Sequence, residues 1–155
     1  MNFSTRFRFP FMLTAVAVLA TAGCDDGITD HDDDHAEPVA VQIRLGGQVI
    51  ASATPTSATG TLTISAGEES AHYSVVFVDE DGDVLTPDDD EFLEVVVASS
   101  SVAEWEQDTP GEFGGHLHGE TAGTTTAVFR LMHGTVGSSS AHADFIATGI
   151  QVVVN

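Results

Sequence analysis

The sequence contains no lysine. Its four basic residues are Arg6, Arg8, Arg44 and Arg130, set against 24 acidic residues in a chain of 155. A formal charge of −20 repels nucleic acid phosphates, so nucleic acid is excluded as a partner. Cysteine is nearly missing as well. Cys24 stands alone, so no internal disulfide staples the fold. Sustained helical periodicity is absent, because no window repeats apolar residues at the three-and-four spacing of an amphipathic helix. A Gly-rich phosphate loop needs a helix to follow it, so that class of site is excluded too. The longest apolar run, residues 9–20, falls short of the roughly 20 residues that span a membrane as a helix.

What is present starts at the N-terminus. Arg6 and Arg8 precede the apolar run, and Thr21-Ala22-Gly23-Cys24 follows it. This is the layout of a secretory signal peptide over residues 1–23, with small residues before the cut. A lone cysteine directly after Ala22-Gly23 resembles a bacterial lipobox, with Thr21 where leucine is usual. The resemblance implies cleavage before Cys24 and lipidation of its sulfur. It further implies anchoring in the bacterial cell envelope, on the periplasmic face or the cell surface, with the membrane as partner through the lipid. Cleavage removes two arginines and no acid, so the mature chain is more acidic still.

Residues 24–38 hold seven acids, two histidines and one large apolar side chain, Ile28. Such a segment buries too little to offset its ordering entropy, so it is expected to be a disordered tether. His31 and His35 lie among the carboxylates and offer weak capture of divalent ions. A solvated spacer is the plainer reading.

From residue 39 the pattern becomes β. Val41, Ile43 and Leu45 share one face, and Gly46-Gly47 is a two-residue hairpin signal before residues 48–53. Residues 54–60 read as a connection and 61–65 as a strand. Tyr73, Val75 and Phe77 share a face of the next strand. Asp79-Glu80-Asp81-Gly82-Asp83 then reads as a hairpin turn into Val84-Leu85, since Asp-Gly stands between two apolar runs and the spacing lacks the distal Glu of a calcium loop. Strands follow at 92–98 and 102–106, where Trp105 is a core or rim aromatic. The stretch 114–134 reads as a short strand, a tight turn and a longer strand. Residues 145–154 close the chain as a final strand. Short strands at regular spacing with Gly, Pro, Ser and Asp between them predict an all-β sandwich over 39–155.

Ser101-Val102-Ala103-Glu104-Trp105, then Gly115-His116-Leu117-His118-Gly119, then Ala122-Gly123-Thr124-Thr125-Thr126-Ala127-Val128, and last Gln151 to Val154, occur in that order. In this they resemble bacterial immunoglobulin-like domains of group 2. Leu62-Thr63-Ile64 with Gly67-Glu68 is similar to that family's early strand and turn. The resemblance implies an Ig-like Greek-key β-sandwich, no catalysis and no shared functional site. His35-Ala36-Glu37-Pro38-Val39 after an Asp/His arm resembles small bacterial lipoproteins.

The histidines are what the resemblance leaves unexplained. His116 and His118 are two apart, so on a strand they share a face while Leu117 points to the other. Two imidazoles so placed suit zinc or copper. His133 ends the partner strand, and His142 with Asp144 forms a second pair two apart. If these strand ends meet, His116, His118, His133, His142 and Asp144 are the expected ligands of a divalent metal, with zinc favoured. Met132 faces away from His133 and does not argue for copper. Ser138-Ser139-Ser140 with His142 and Asp144 has the residue types of a triad but no nucleophile elbow, so no enzyme is expected. The expected function is therefore metal buffering, delivery or sensing by an envelope-anchored domain. A metal transporter or another envelope protein is the partner such a role calls for. The alternative is a non-catalytic structural or adhesive module without a metal site.

Overall fold

The computed structural model describes residues 36–155. The signal peptide at 1–23, the lipidation residue Cys24 and the arm residues His31 and His35 lie outside the described residues. Among the described residues there are ten strands and no helix. They are β1 Ala40–Leu45, β2 Gln48–Ala53, β3 Ala58–Ile64, β4 Tyr73–Val78, β5 Glu91–Val97, β6 Ala103–Glu106, β7 Gly114–Gly119, β8 Gly123–His133, β9 His142–Ile146 and β10 Ile150–Val154.

The strands form one hydrogen-bonded path, β5-β8-β10-β3-β2-β1-β4-β7-β6, with β9 beside β8. The path encloses one core, and β3 changes partner along its length. In β3, Ala58 to Gly60 pair antiparallel with β2, while Thr61 to Ile64 pair parallel with β10. The change falls at Gly60, which has φ +79°, and a Cβ there would lie 2.3 Å from the Ile50 carbonyl oxygen. Only glycine fits both the backbone angle and the contact. In β7, Gly114 and Gly115 pair with β4, and His116 to Gly119 pair with β6.

The core draws on both halves of the path. Ile43, Leu62, Phe77, Leu93, Leu117, Phe129 and Ile150 are all fully buried. Phe77 meets Phe113 and Phe145 edge-on, and Trp105 lies between Tyr73, stacked at 6.1 Å, and Phe129, edge-on at 5.4 Å. The expected row Tyr73, Val75 and Phe77 faces inward on β4, and Thr125, Ala127, Phe129 and Leu131 form an inward row on β8. This is the all-β sandwich that the period-two alternation predicts.

Three boundaries differ from the sequence reading. Strand β3 starts at Ala58, inside the expected connection, because its first residues extend the pairing with β2. Residues 84–85 contribute only a bridge from Val84 to Val78. The Asp79 side chain accepts from the N–H groups of Asp81 and Asp83, holding a tight loop rather than a ladder. The closing strand is split into β9 and β10, which follow each other along the same edge of β8. Between them the Ala147 N–H still bonds the Phe129 carbonyl, and the Thr148 N–H turns to the Thr54 carbonyl.

Candidate metal centres

Strand β8 carries an inward row that runs Phe129, Leu131, His133, so His133 extends the core row past the end of the sandwich. Across from it, β9 holds a bulge. Leu131 pairs with Phe145, but Met132 pairs with Ala143 and His133 with His142, so Asp144 is the extra residue. Without the bulge, His133 would face Ala143. With it, the two imidazoles sit in register, with ring centres 5.2 Å apart. Such irregularities re-aim side chains at strand ends. Asp144 lies against both rings, its Oδ2 3.5 Å from His133 Nδ1 and its Oδ1 3.3 Å from His142 Nε2.

Asp90 completes this set from the head of β5. The Gly134 N–H bonds the Asp90 carbonyl, which fixes the start of β5 beside the end of β8. The Asp90 carboxylate then sits 2.8 Å from His133 Nε2. In the neutral ring, an Nε2–H donated to Asp90 leaves the Nδ1 lone pair facing Asp144. Carboxylate–imidazole pairs of this kind orient metal-binding histidines. The hydrogen bond to Asp90, followed by its charge, holds the His133 pKa above the usual 6.5. One donor atom each from His133, His142 and Asp144 lies within 4.8 Å of the others.

A second set gathers where β7 leaves β4. His116 pairs across the ladder with Glu106, and His118 with Glu104. Both imidazoles lie opposite the fully buried Leu117, as the alternation predicts. Gly115, with φ +151°, brings the backbone so close to β6 that a Cβ would lie 2.4 Å from the Glu106 carbonyl oxygen. His116 Nδ1 is 2.9 Å from the Ser70 carbonyl oxygen and 3.4 Å from Glu69 Oε1. The bond to Ser70 is the main reason its pKa is raised above 6.5. Desolvation opposes that, and the charges of Asp108 and Glu69 reinforce it. His72, Asp108 and His116 form the second group with donor atoms within 4.8 Å of one another. His118 Nε2 stands 3.0 Å from Glu106 Oε2 and 3.6 Å from Glu69 Oε2, without hydrogen-bond geometry to either.

The five residues expected to converge thus fall into two places. His133, His142 and Asp144 meet at the β8–β9 end. His116 groups with His72 and Asp108, and His118 lies beside Glu69 and Glu106. The division follows from the partners of the two strands, since β7 lies between β4 and β6 while β8 lies between β5 and the β9–β10 edge. Sequence reasoning missed Asp90, His72 and Asp108. Each comes from a separate segment, and no local spacing links them to the histidines they approach. Met132 pairs with Phe92, apart from the imidazole set.

No protein-family model matches the sequence, and no curated protein matches it. Among solved structures, the chain is similar to domains 4 and 5 of the S-layer protein SbsC. The identity is 15%, the TM-score is 0.42, and the match covers 62% of this chain and 47% of that one. The matched part therefore spans about half of that structure's length.

Proposed function

We propose that this chain is a non-catalytic, Ig-like envelope domain that binds one divalent transition-metal ion at the β8–β9 end. His133, His142 and Asp144 would be the ligands, and Asp90 would orient His133. The observation that carries the reading is the bulge at Asp144, which puts two imidazoles and a carboxylate in mutual reach. Two neutral nitrogens and a carboxylate oxygen favour zinc over the hard oxygen-seeking ions. Donor atoms around a tetrahedral zinc stand about 3.3 Å apart, given bond lengths near 2.0–2.1 Å. Asp144 meets the two rings through different oxygens, Oδ1 at 3.3 Å from His142 Nε2 and Oδ2 at 3.5 Å from His133 Nδ1, so its carboxylate spans the gap between the two imidazoles. The role would be buffering, delivery or sensing of the ion, with a metal transporter or other envelope protein as partner. The lipobox-like Cys24 supports anchoring to the envelope through a lipid.

The test is a calorimetric zinc titration of the full chain. Replacing both His133 and His142 by alanine should abolish one saturable site, while His116→Ala with His118→Ala should leave that site in place. An unchanged stoichiometry in the His133/His142 variant would remove this proposal. A structural or adhesive module without a metal is the second reading. It is favoured by the openness of the set, in which the His142 side chain is 66% exposed.

A further inference from the structure

We propose a second divalent-metal site, independent of the first, formed by His72, His116 and Asp108 where the β6–β7 connection crosses the head of β4. Its centre is a single oxygen. Asp108 Oδ2 is 3.7 Å from His116 Nε2 and 3.9 Å from His72 Nε2, so both imidazoles present the same nitrogen to one carboxylate. His116 is set for this by its other nitrogen. Its Nδ1–H donated to the Ser70 carbonyl, at 2.9 Å, leaves the Nε2 lone pair free, the arrangement that metal-binding histidines share.

The His72 side chain is 42% exposed, and one side of its ring rests on the strand. Its ring lies over Gly114, where a Cβ would come within 2.4 Å of Cε1 and 2.8 Å of Nε2. The strand thus leaves open the volume that this imidazole fills. The two rings meet edge to face, with centres 5.1 Å apart and planes 77° apart, so their Nε2 atoms can aim at a common point. Glu112 braces the third ligand. Its Oε1 accepts the Asp108 N–H at 2.7 Å and stands 3.9 Å from His72 Nε2. It is thus a fourth donor within a small side-chain movement. Two imidazoles with one or two carboxylates suit zinc and its first-row neighbours, whereas calcium and magnesium take oxygen shells. Drawing the donors to zinc spacing needs a contraction of about half an ångström. A bound ion would clip residues 107–113 to β4 and β7.

The ring resonances of the seven histidines, followed by NMR during a zinc titration of the full chain, separate the two sites. His72 and His116 should shift together with one midpoint and saturate. They should do so equally in the His133→Ala/His142→Ala variant. Asp108→Asn, an exposed loop change, should raise the midpoint tenfold or more while leaving the amide spectrum folded. Limited proteolysis after Glu106 and Glu112 should slow when zinc is present. The site is overturned if His72 and His116 stay unshifted in excess zinc, titrate with different midpoints, or lose their response in the His133/His142 variant. Shifts of His72 and His116 without shifts of His133 and His142 would uphold this site and overturn the first.

Discussion

At the scale of single residues, what a histidine can do is set by the atom its second nitrogen meets. His133 meets Asp90 and His116 meets the Ser70 carbonyl. Asp90→Asn should therefore weaken zinc binding at the β8–β9 set by about tenfold to a hundredfold, the usual effect of removing an orienting carboxylate. Calorimetry of the variant checks it, and an unchanged affinity would show that Asp90 does not orient the ring. A different prediction belongs to Tyr73, the only tyrosine. Burial pushes its phenol above the ordinary 10.0, and a hydrogen bond from Ser70 opposes this. The unfolded chain then releases the phenolic proton first as pH rises. Stability is full below about pH 10 and is lost as pH climbs through the raised value. Tyr73→Phe should flatten that loss in urea melts taken above about pH 10. With no lysine in the chain, few other groups titrate there.

At the scale of elements, the alternation of β7 was legible because a strand has a period of two. His116 and His118 opposite Leu117 needed nothing more. Leu117→Ala should cost about 2–5 kcal/mol, the range for opening a cavity in a packed core. Glu104→Ala, on the exposed face of β6, should stay within about 0.5 kcal/mol. Chemical denaturation of both variants compares them directly, and equal costs would contradict the assigned faces. The bulge on β9 was not legible. Alternation within residues 142–146 looks the same with or without an extra residue, and only pairing with β8 exposes it. The Gly60 switch is similar in kind. Gly60→Ala should destabilise the fold by about 2 kcal/mol or more, since it combines a positive φ with a backbone contact.

At the scale of the whole molecule, charge is the dominant fact. The chain has no lysine, and only Arg44 and Arg130 lie within the described residues. Arg130 is paired with Glu94 at 2.9 Å, and Arg44 is turned to Gln42. Most carboxylates therefore repel one another across the surface. Raising ionic strength from about 0.01 to 0.5 M shortens the screening length from roughly 30 Å to about 4 Å. In chelator-treated protein, that should raise the melting temperature by several degrees. A melting temperature independent of salt would show that the carboxylates are already compensated in the fold.

Sequence alone determined the β class, the inward rows and the pairing of His116 with His118 on one face. These follow from local periodicity and turn chemistry, which each segment carries in itself. Tertiary structure alone decided which histidines meet. His142 reaches His133 through one extra residue on β9, and His72 reaches His116 through β4 lying beside β7. Both depend on the register between distant segments. Register is set by the packing of the whole core, so the one expected cluster became two.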